Sequence, residues 1–426
     1  MNTAETDRLL ADADAAMARG DAAAVERLLT AAVALNPALP KPLNWLALQA
    51  QRRGDLDAAA DLFARATDAD PKAPELWLNR ANAERALNRP DAVQASLTAA
   101  LAADPNFIPA RLLRGAEAER RGDRSAAIDD YGLALAMLPD SVAVPPQLER
   151  LVAQARATLA DHHATLAATL DTVFAPARAA AALPRRFERL VEVMTGQGRV
   201  WRSQPAGIDY PGLPAIEFFD RAAFPWFAEL EAATAAIRAE YLALFDAAPD
   251  ADEPYVAYQP GEPVNQWAGL NHSKRWGVRF LMRDGQPRAD VLARCPQTAA
   301  LLDRLPLLDI PGRGPSVFFS VLAPRTRIPA HTGSTNLRAI VHLGLIVPPQ
   351  CGFRVGGETI HWREGEAFAF DDTIEHEAWN DSDLPRVVLI LDCWNPGVEP
   401  LERALVRNLL AGVESHRGAS VSWADS

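Results

Sequence analysis

One spacing governs the first third of this chain. Gly20, Gly54, Asn88 and Gly122 stand 34 residues apart. The same step carries Ala24 to Ala58, Ala92 and Ala126, Leu29 to Phe63, Leu97 and Tyr131, and Ala32 to Ala66, Ala100 and Ala134. Ala13, Ala47, Ala81 and Gly115 mark a small position early in each unit, and Pro37, Pro71, Pro105 and Pro139 close it. A fixed period of this length constrains the fold more than composition can, because each unit buries its apolar residues only against its neighbours. Small side chains let two helices approach, Gly or Asn takes the turn between them, and Leu or an aromatic fills the seam. Proline ends the second helix because it cannot continue one. The spacing predicts a stack of helical pairs.

A helix-turn-helix unit of this period resembles the tetratricopeptide repeat, over roughly residues 5–140. The resemblance implies a curved α-solenoid whose concave face receives a peptide or another protein. Lys41, Asn44, Arg52, Asn82, Arg85 and Arg120 are then expected on the concave side, where each could equally be an ordinary solvated side chain. Residues 141–180 are Ala-rich with helical spacing and read as a capping or linker helix. Adjacent His162 and His163 on that helix point about 100° apart, so they read as surface residues rather than a metal pair. Pro- and Gly-containing loops then lead into an amphipathic helix expected over Phe227–Phe245.

Charge and cysteine content narrow the partners. The chain of 426 residues carries 43 Lys+Arg against 55 Asp+Glu, a net charge of −12, which phosphate backbones and anionic headgroups repel. Nucleic acid and membrane surfaces are therefore not expected as partners. Cys295, Cys351 and Cys393 are odd in number and widely spaced, which fits no disulfide framework or zinc site and suits a reducing compartment. MNTAETDRLL has no basic region ahead of an apolar stretch, and the longest apolar run, Ala339–Val347, is interrupted by His342 where a membrane helix needs about 20 residues. The expected address is cytoplasmic.

After about residue 250 the helical period gives way to short strands. The pattern predicts Val317–Leu322, Leu337–Val347, Gly352–Val355, Glu358–Trp362, Glu366–Phe370, Glu375–Trp379 and Val387–Trp394, with hairpin turns at Gly356-Gly357 and Arg363-Glu364-Gly365. Short strands at this spacing suggest an antiparallel sandwich or jelly roll. Five of the eight histidines lie between His272 and His376. Two imidazoles on adjoining strands suit a first-row metal, although spacing alone fits hydrogen-bonded structural histidines as well.

The residues around them carry more. PAHTGSTNLRAIVHLGLIVP, GETIHWREGEAFAFDDTIEHEAWNDSD and PRVVLILDCWNP resemble the catalytic domain of the aspartyl/asparaginyl β-hydroxylase family, loosely over residues 180–405 and closely over 315–396. The resemblance implies a jelly-roll (double-stranded β-helix) oxygenase domain that uses iron(II), 2-oxoglutarate and O2. It assigns His331 and His376 as the metal ligands. Gly333 stands two residues after His331, where most such oxygenases carry a third, carboxylate ligand, and the family is known for lacking it. Asp372 becomes the residue beside an iron-bound water, and Arg386, with its planar fork, the anchor for the cosubstrate's distal carboxylate. Ser320, His342 and Trp276 match positions lining the cosubstrate pocket, while Ser320 and Trp276 also fit ordinary sheet packing. Arg338 matches a position that helps bind an acidic substrate group. Ile340 replaces a second such arginine, which puts the acidic preference in doubt. His361 and His272 match no ligand position.

The expected architecture is a multidomain α + β chain: a repeat solenoid over 1–140, the linker helix over 141–180, the oxygenase domain over 181–412 and a mobile polar tail over 413–426. The implied activity is hydroxylation of an unactivated carbon with oxidative decarboxylation of 2-oxoglutarate, on an Asp/Asn-type residue of a protein or peptide recruited by the repeat groove. Two other readings remain: a hydroxylase of a free amino acid or small metabolite, and a non-catalytic repeat scaffold.

Overall fold

A computed structural model describes residues 3–138, 143–249 and 251–417. The chain forms two compact units, one ending at Gly198 and the other beginning at Arg199.

The first unit is built from antiparallel helical pairs: α1 (Thr3–Ala18) with α2 (Ala22–Leu35), α3 (Pro40–Arg52) with α4 (Leu56–Ala69), α5 (Pro74–Ala86) with α6 (Pro90–Ala103), and α7 (Ile108–Arg120) with α8 (Arg124–Ala136). Each turn runs through left-handed backbone, φ +73° at Gly20, +82° at Gly54, +55° at Asn88 and +80° at Gly122. Asn replaces Gly there because it is the side-chain-bearing residue that tolerates this region best. Asp21, Asp55 and Asp123 then cap the following helix by accepting from the backbone N–H three residues on. Pro37, Pro71 and Pro105 follow the capping residues Asn36, Asp70 and Asp104, whereas Pro139 lies outside the described residues. Ala32, Ala66, Ala100 and Ala134 and the seam residues Leu29, Phe63, Leu97 and Tyr131 are buried, while Ala24, Ala58, Ala92 and Ala126 are half-buried. The fourth pair shows why: a Cβ on Gly115 would stand 2.7 Å from the Tyr131 ring, so the bulkiest seam residue requires the smallest neighbour. Helix α9 (Glu149–Ala180) docks on that pair, with Gln154 and Thr158 joining Tyr131 as donors to Glu119. Helix α10 (Arg185–Met194) also clusters with the first unit, so the division falls at Gly198 rather than at residue 180.

The second unit contains the strands β1 (Glu253–Pro254), β2 (Trp276–Arg283), β3 (Gln286–Pro287), β4 (Val317–Leu322), β5 (Thr326–His331), β6 (Arg338–Ile346), β7 (Cys351–Val355), β8 (Glu358–Ile360), β9 (Ala367–Phe370), β10 (His376–Asn380) and β11 (Arg386–Trp394). They form two antiparallel sheets, β1-β2-β4-β11-β6-β9 with β3 beside β2, and β5-β10-β7-β8. The larger sheet is covered on both faces. Its outer face (Phe319, Val341, Leu343, Leu389, Leu391) packs on Phe227, Leu230, Ile237, Tyr241 and Leu302 from flanking helices. Its inner face (Trp276, Val278, Phe318, Val388, Ile390) meets Ile328, Phe353, Val355 and Ala378 of the smaller sheet. The two-residue alternation decides which side chains enter the space between the sheets.

Strands β2 and β5 were not legible as strands. Pro329 interrupts the pattern of β5 and is tolerated because β5 is the edge of its sheet. The helix expected over Phe227–Phe245 is broken at Ala233 into α11 (Phe227–Ala232) and α12 (Thr234–Ala247). Two short helices follow, α13 (Ala289–Leu292) and α14 (Pro296–Leu302), and the last, α15, spans Pro400–Arg417. The segment expected to be a mobile tail from 413 is thus helical as far as Arg417, and residues 418–426 lie outside the described set.

Candidate active site

His331 ends β5 and His376 begins β10, and the antiparallel register sets them directly opposite each other, with a bulge following His376. Their ring centroids are 4.0 Å apart. Each ring is oriented from behind: His331 Nδ1 donates to the Pro329 carbonyl at 2.8 Å and His376 Nδ1 to the Ile374 carbonyl at 3.0 Å. A donor at Nδ1 leaves the Nε2 lone pair of each neutral ring for a metal. Burial, reinforced by the neighbouring His376, pushes His331 down to about 3, and burial pushes His376 down to about 4. Both imidazoles are therefore neutral near pH 7, the state a cation requires. Among the described residues no cluster of three or more His, Cys, Asp or Glu side chains is placed to hold a metal.

Gly333 leaves no room for a side chain. A Cβ there would fall inside the carboxylate of Asp372, whose carbonyl accepts from the Gly333 N–H at 2.6 Å. Asp372 is 5% exposed and Arg338 Nη2 donates to its Oδ2 at 2.8 Å, while its Oδ1 is buried with no hydrogen-bond partner. The carboxylate thus enters the region beside Gly333 from another strand connection. Neighbouring Asp371 makes the turn: its Oδ1 accepts from Thr373 N at 3.0 Å and Thr373 Oγ1 at 2.5 Å, and burial pushes its carboxyl up to about 6.

Arg386 opens β11 and faces inward, 1% exposed, with Nε and Nη2 buried and unpartnered. Its guanidinium lies over the Trp362 ring, 4.7 Å from the centroid. Burial depresses its pKa to about 10. Two adjacent N–H donors left unsatisfied in a dry site are costly, and a carboxylate from a ligand is the group whose geometry satisfies both. Trp362 also donates Nε1–H to His342 Nδ1 at 3.2 Å, which leaves His342 Nε2–H as a donor toward the same space. Ser320 is 1% exposed and accepts from Trp276 Nε1 at 3.2 Å.

Trp276, Ser320, His331, Arg338, His342, Asp372, His376 and Arg386 all line one cavity of about 860 Å³ in the second unit. Sequence reasoning missed Trp362, which stacks on the arginine, Asp392, which faces Arg338, and the wall formed by Tyr255, Tyr258 and Trp267. A tryptophan in the stretch ETIHWREG gave no signal of its own, because its role depends on a fold-dependent contact with β11. His361 donates Nδ1 to the Cys351 carbonyl and His272 bonds the Tyr258 carbonyl, both away from the cavity lining. In the first unit, Asn82 and Arg85 line a smaller cavity of about 500 Å³ with Leu48, Gln51, Asn79 and Ala86. Asn44 accepts from Asn79 beside it at 2.9 Å, and Arg120 is paired with Glu117 at 2.8 Å.

Two facing histidines between two antiparallel sheets, with a buried arginine lining the same cavity, are the arrangement to set beside known enzymes. The profile of the aspartyl/asparaginyl beta-hydroxylase family matches residues 231–396. The chain is 34% identical over 206 residues to the ornithine lipid ester-linked acyl 2-hydroxylase of Rhizobium tropici, covering 46% of this chain and 67% of that protein. It is 35% identical over 135 residues to the aspartyl/asparaginyl beta-hydroxylase of Homo sapiens, covering 32% of this chain but only 18% of that protein. A crystal structure of the MamA protein matches 36% of this chain and 82% of its own at 16% identity, with a TM-score of 0.31. The chain belongs to the aspartyl/asparaginyl β-hydroxylase family. Among the described residues no helix is long and apolar enough to cross a membrane.

Proposed function

We propose that this protein is an iron(II)- and 2-oxoglutarate-dependent dioxygenase that hydroxylates an unactivated carbon, on an Asp/Asn-type residue of a protein or peptide, in the cytoplasm. The observation that carries this reading is the orphaned Arg386 guanidinium in the cavity that also holds the His331–His376 pair. In it the two sheets form a double-stranded β-helix, the second unit is the catalytic domain, and the repeats recruit the target.

His331 and His376 would hold the iron through Nε2, each ring fixed by its backbone carbonyl. Arg386 would clamp the distal carboxylate of 2-oxoglutarate, with Ser320 Oγ and His342 Nε2–H as further donors and Trp276 and Trp362 as walls. When bound, iron and cosubstrate supply the oxidising power that side chains lack. Asp372, whose carboxylate fills the space beside Gly333, would accept from a water through its unpartnered Oδ1. The buried aromatic lining excludes bulk water from the reacting centre.

Anaerobic visible spectroscopy of the apoprotein with iron(II) and then 2-oxoglutarate tests this without knowledge of the target. A charge-transfer band in the wild type and none in His376→Ala supports the oxygenase; no band from folded wild type removes it. A small-molecule substrate is the second reading, favoured because every residue of the site lies in the second unit. Substituting Arg85→Glu in the repeat groove separates the two: turnover on a peptide falls only if the groove recruits it.

A further inference from the structure

The cavity floor has two chemically opposite ends. Three residues of β11 line it, Arg386 at one end, Ile390 between and Asp392 at the other, about 20 Å along the strand. At the Arg386 end a cation stands with unsatisfied donors. At the far end a cation is held fast. Asp392, 1% exposed, accepts from Ser316 N at 2.7 Å through Oδ1 and lies 3.5 Å from Arg338 Nη1 through Oδ2. Arg338 Nη2 meanwhile donates to Asp372. One guanidinium is thus shared by two carboxylates. Directly across from Asp392 in the register stands Ile340, which adds no charge. Tyr255, Phe280 and Phe318 add an aromatic wall, and Glu253, Glu262 and Arg283 also line the cavity. Arg283 lies at the half-exposed rim, near Glu253 and Asp284.

We infer that Asp392 is a specificity-determining residue: by holding Arg338 between itself and Asp372, it makes the substrate end of the cavity refuse a carboxylate and accept a hydrogen-bond-donating neutral or cationic group, an amide or an ammonium. The inference rests on the oxygenase reading for assigning the Arg386 end to the cosubstrate. Burial pushes Asp392 up to about 7 against the pull of Arg338. With its proton on, Arg338 and Asp372 sum to zero; with it off, the cluster is anionic. In the ionised state a third carboxylate brought into this dry space meets repulsion as well as desolvation, and that repulsion is what Asp392 adds. A donor instead finds acceptors, Asp372 Oδ1 among them.

The test titrates the full-length chain, under nitrogen with 2-oxoglutarate present, with N- and C-blocked asparagine, aspartate and 2,4-diaminobutyrate, read by the fluorescence of Trp267 and Trp276 in the cavity wall. Wild type is expected to bind the asparagine and diaminobutyrate probes about 10-fold more tightly than the aspartate probe. At about pH 8, where Asp392 is ionised, Asp392→Asn removes one of the two carboxylates and leaves Arg338 and Asp372 neutral together, and should bring the aspartate probe within about twofold of the others. Ile340→Arg supplies a new cation on the same face and should do likewise, and it decides the matter if Asp392→Asn does not fold. Tightest binding of aspartate by wild type, an unchanged preference in the folded variants, or no binding of any probe by any of the proteins overturns the inference. Failure of the oxygenase reading appears separately, as a missing iron–cosubstrate band, and leaves these titrations readable because they need no turnover.

Discussion

The two units of this protein assemble their key contacts in opposite ways. In the helical unit, the residues that meet are close in sequence: Gly115 touches Tyr131, and Asp123 caps the helix that begins beside it. In the sheet unit, Trp276, Ser320, His342 and Arg386 reach one cavity only because the strands register across long loops. A repeat stack spreads its stability over similar neighbouring interfaces, whereas the site depends on a few buried polar groups with no spare partners. Single substitutions should therefore cause graded loss in the first unit and change function sharply in the second.

The largest effect is expected at Arg386. Replacing it by Gln should weaken 2-oxoglutarate binding about 100-fold or more, measured by calorimetry, because a desolvated charge pair is lost. Arg386→Leu should raise the melting temperature of the ligand-free protein, since it removes a buried cation with unsatisfied donors. A fall in both quantities would make Arg386 a structural residue and erase the contrast between the units.

Gly333→Asp, which places a carboxylate two residues after His331, should cost about 3 kcal/mol in urea unfolding through overlap with Asp372. Adding Asp372→Ala should recover most of that loss. Gly115→Ala in the helical unit should cost about 1–3 kcal/mol by crowding Tyr131, while leaving the iron–cosubstrate band unchanged. A loss of that band would show that the two units are not independent.

The smallest expected effect is a change in pH profile. Asp371 holds its proton up to about 6 in the folded protein, against an ordinary value of 3.8, because it is buried. The folded state therefore binds this proton more tightly than the unfolded chain does. Its contribution is full below the ordinary value and is lost as pH rises through about 6. Asp371→Asn should flatten the stability profile across that window, measured by urea unfolding at about pH 4 and pH 7.

Much of this was legible from residues alone. The 34-residue period named the turn positions, including Asn88 where Gly would be usual, because those constraints are local backbone geometry. Strand β4 was read with its observed limits and β11 to within one residue, since alternating apolar runs report a sheet buried on both faces. Strand β5 was not, because Pro329 disguises an edge strand, and neither was β2, whose run WGVRFLMR places Arg279 in a buried pair with Asp252. Arg338 shows a subtler limit. Its position beside the site was readable, but not that two carboxylates, one of them 54 residues away, already hold it.

The sequence by itself determined the repeat, the pair of histidines, the glycine where a carboxylate is usual and the arginine on an apolar strand, because each is a matter of residue type at a fixed spacing. The tertiary structure alone decided that Asp372 occupies the space a side chain at 333 would need, that Trp362 lies on Arg386, and that Asp392 shares Arg338. Those contacts join residues on different strands and loops, and only the pairing register of the sheets brings them within reach.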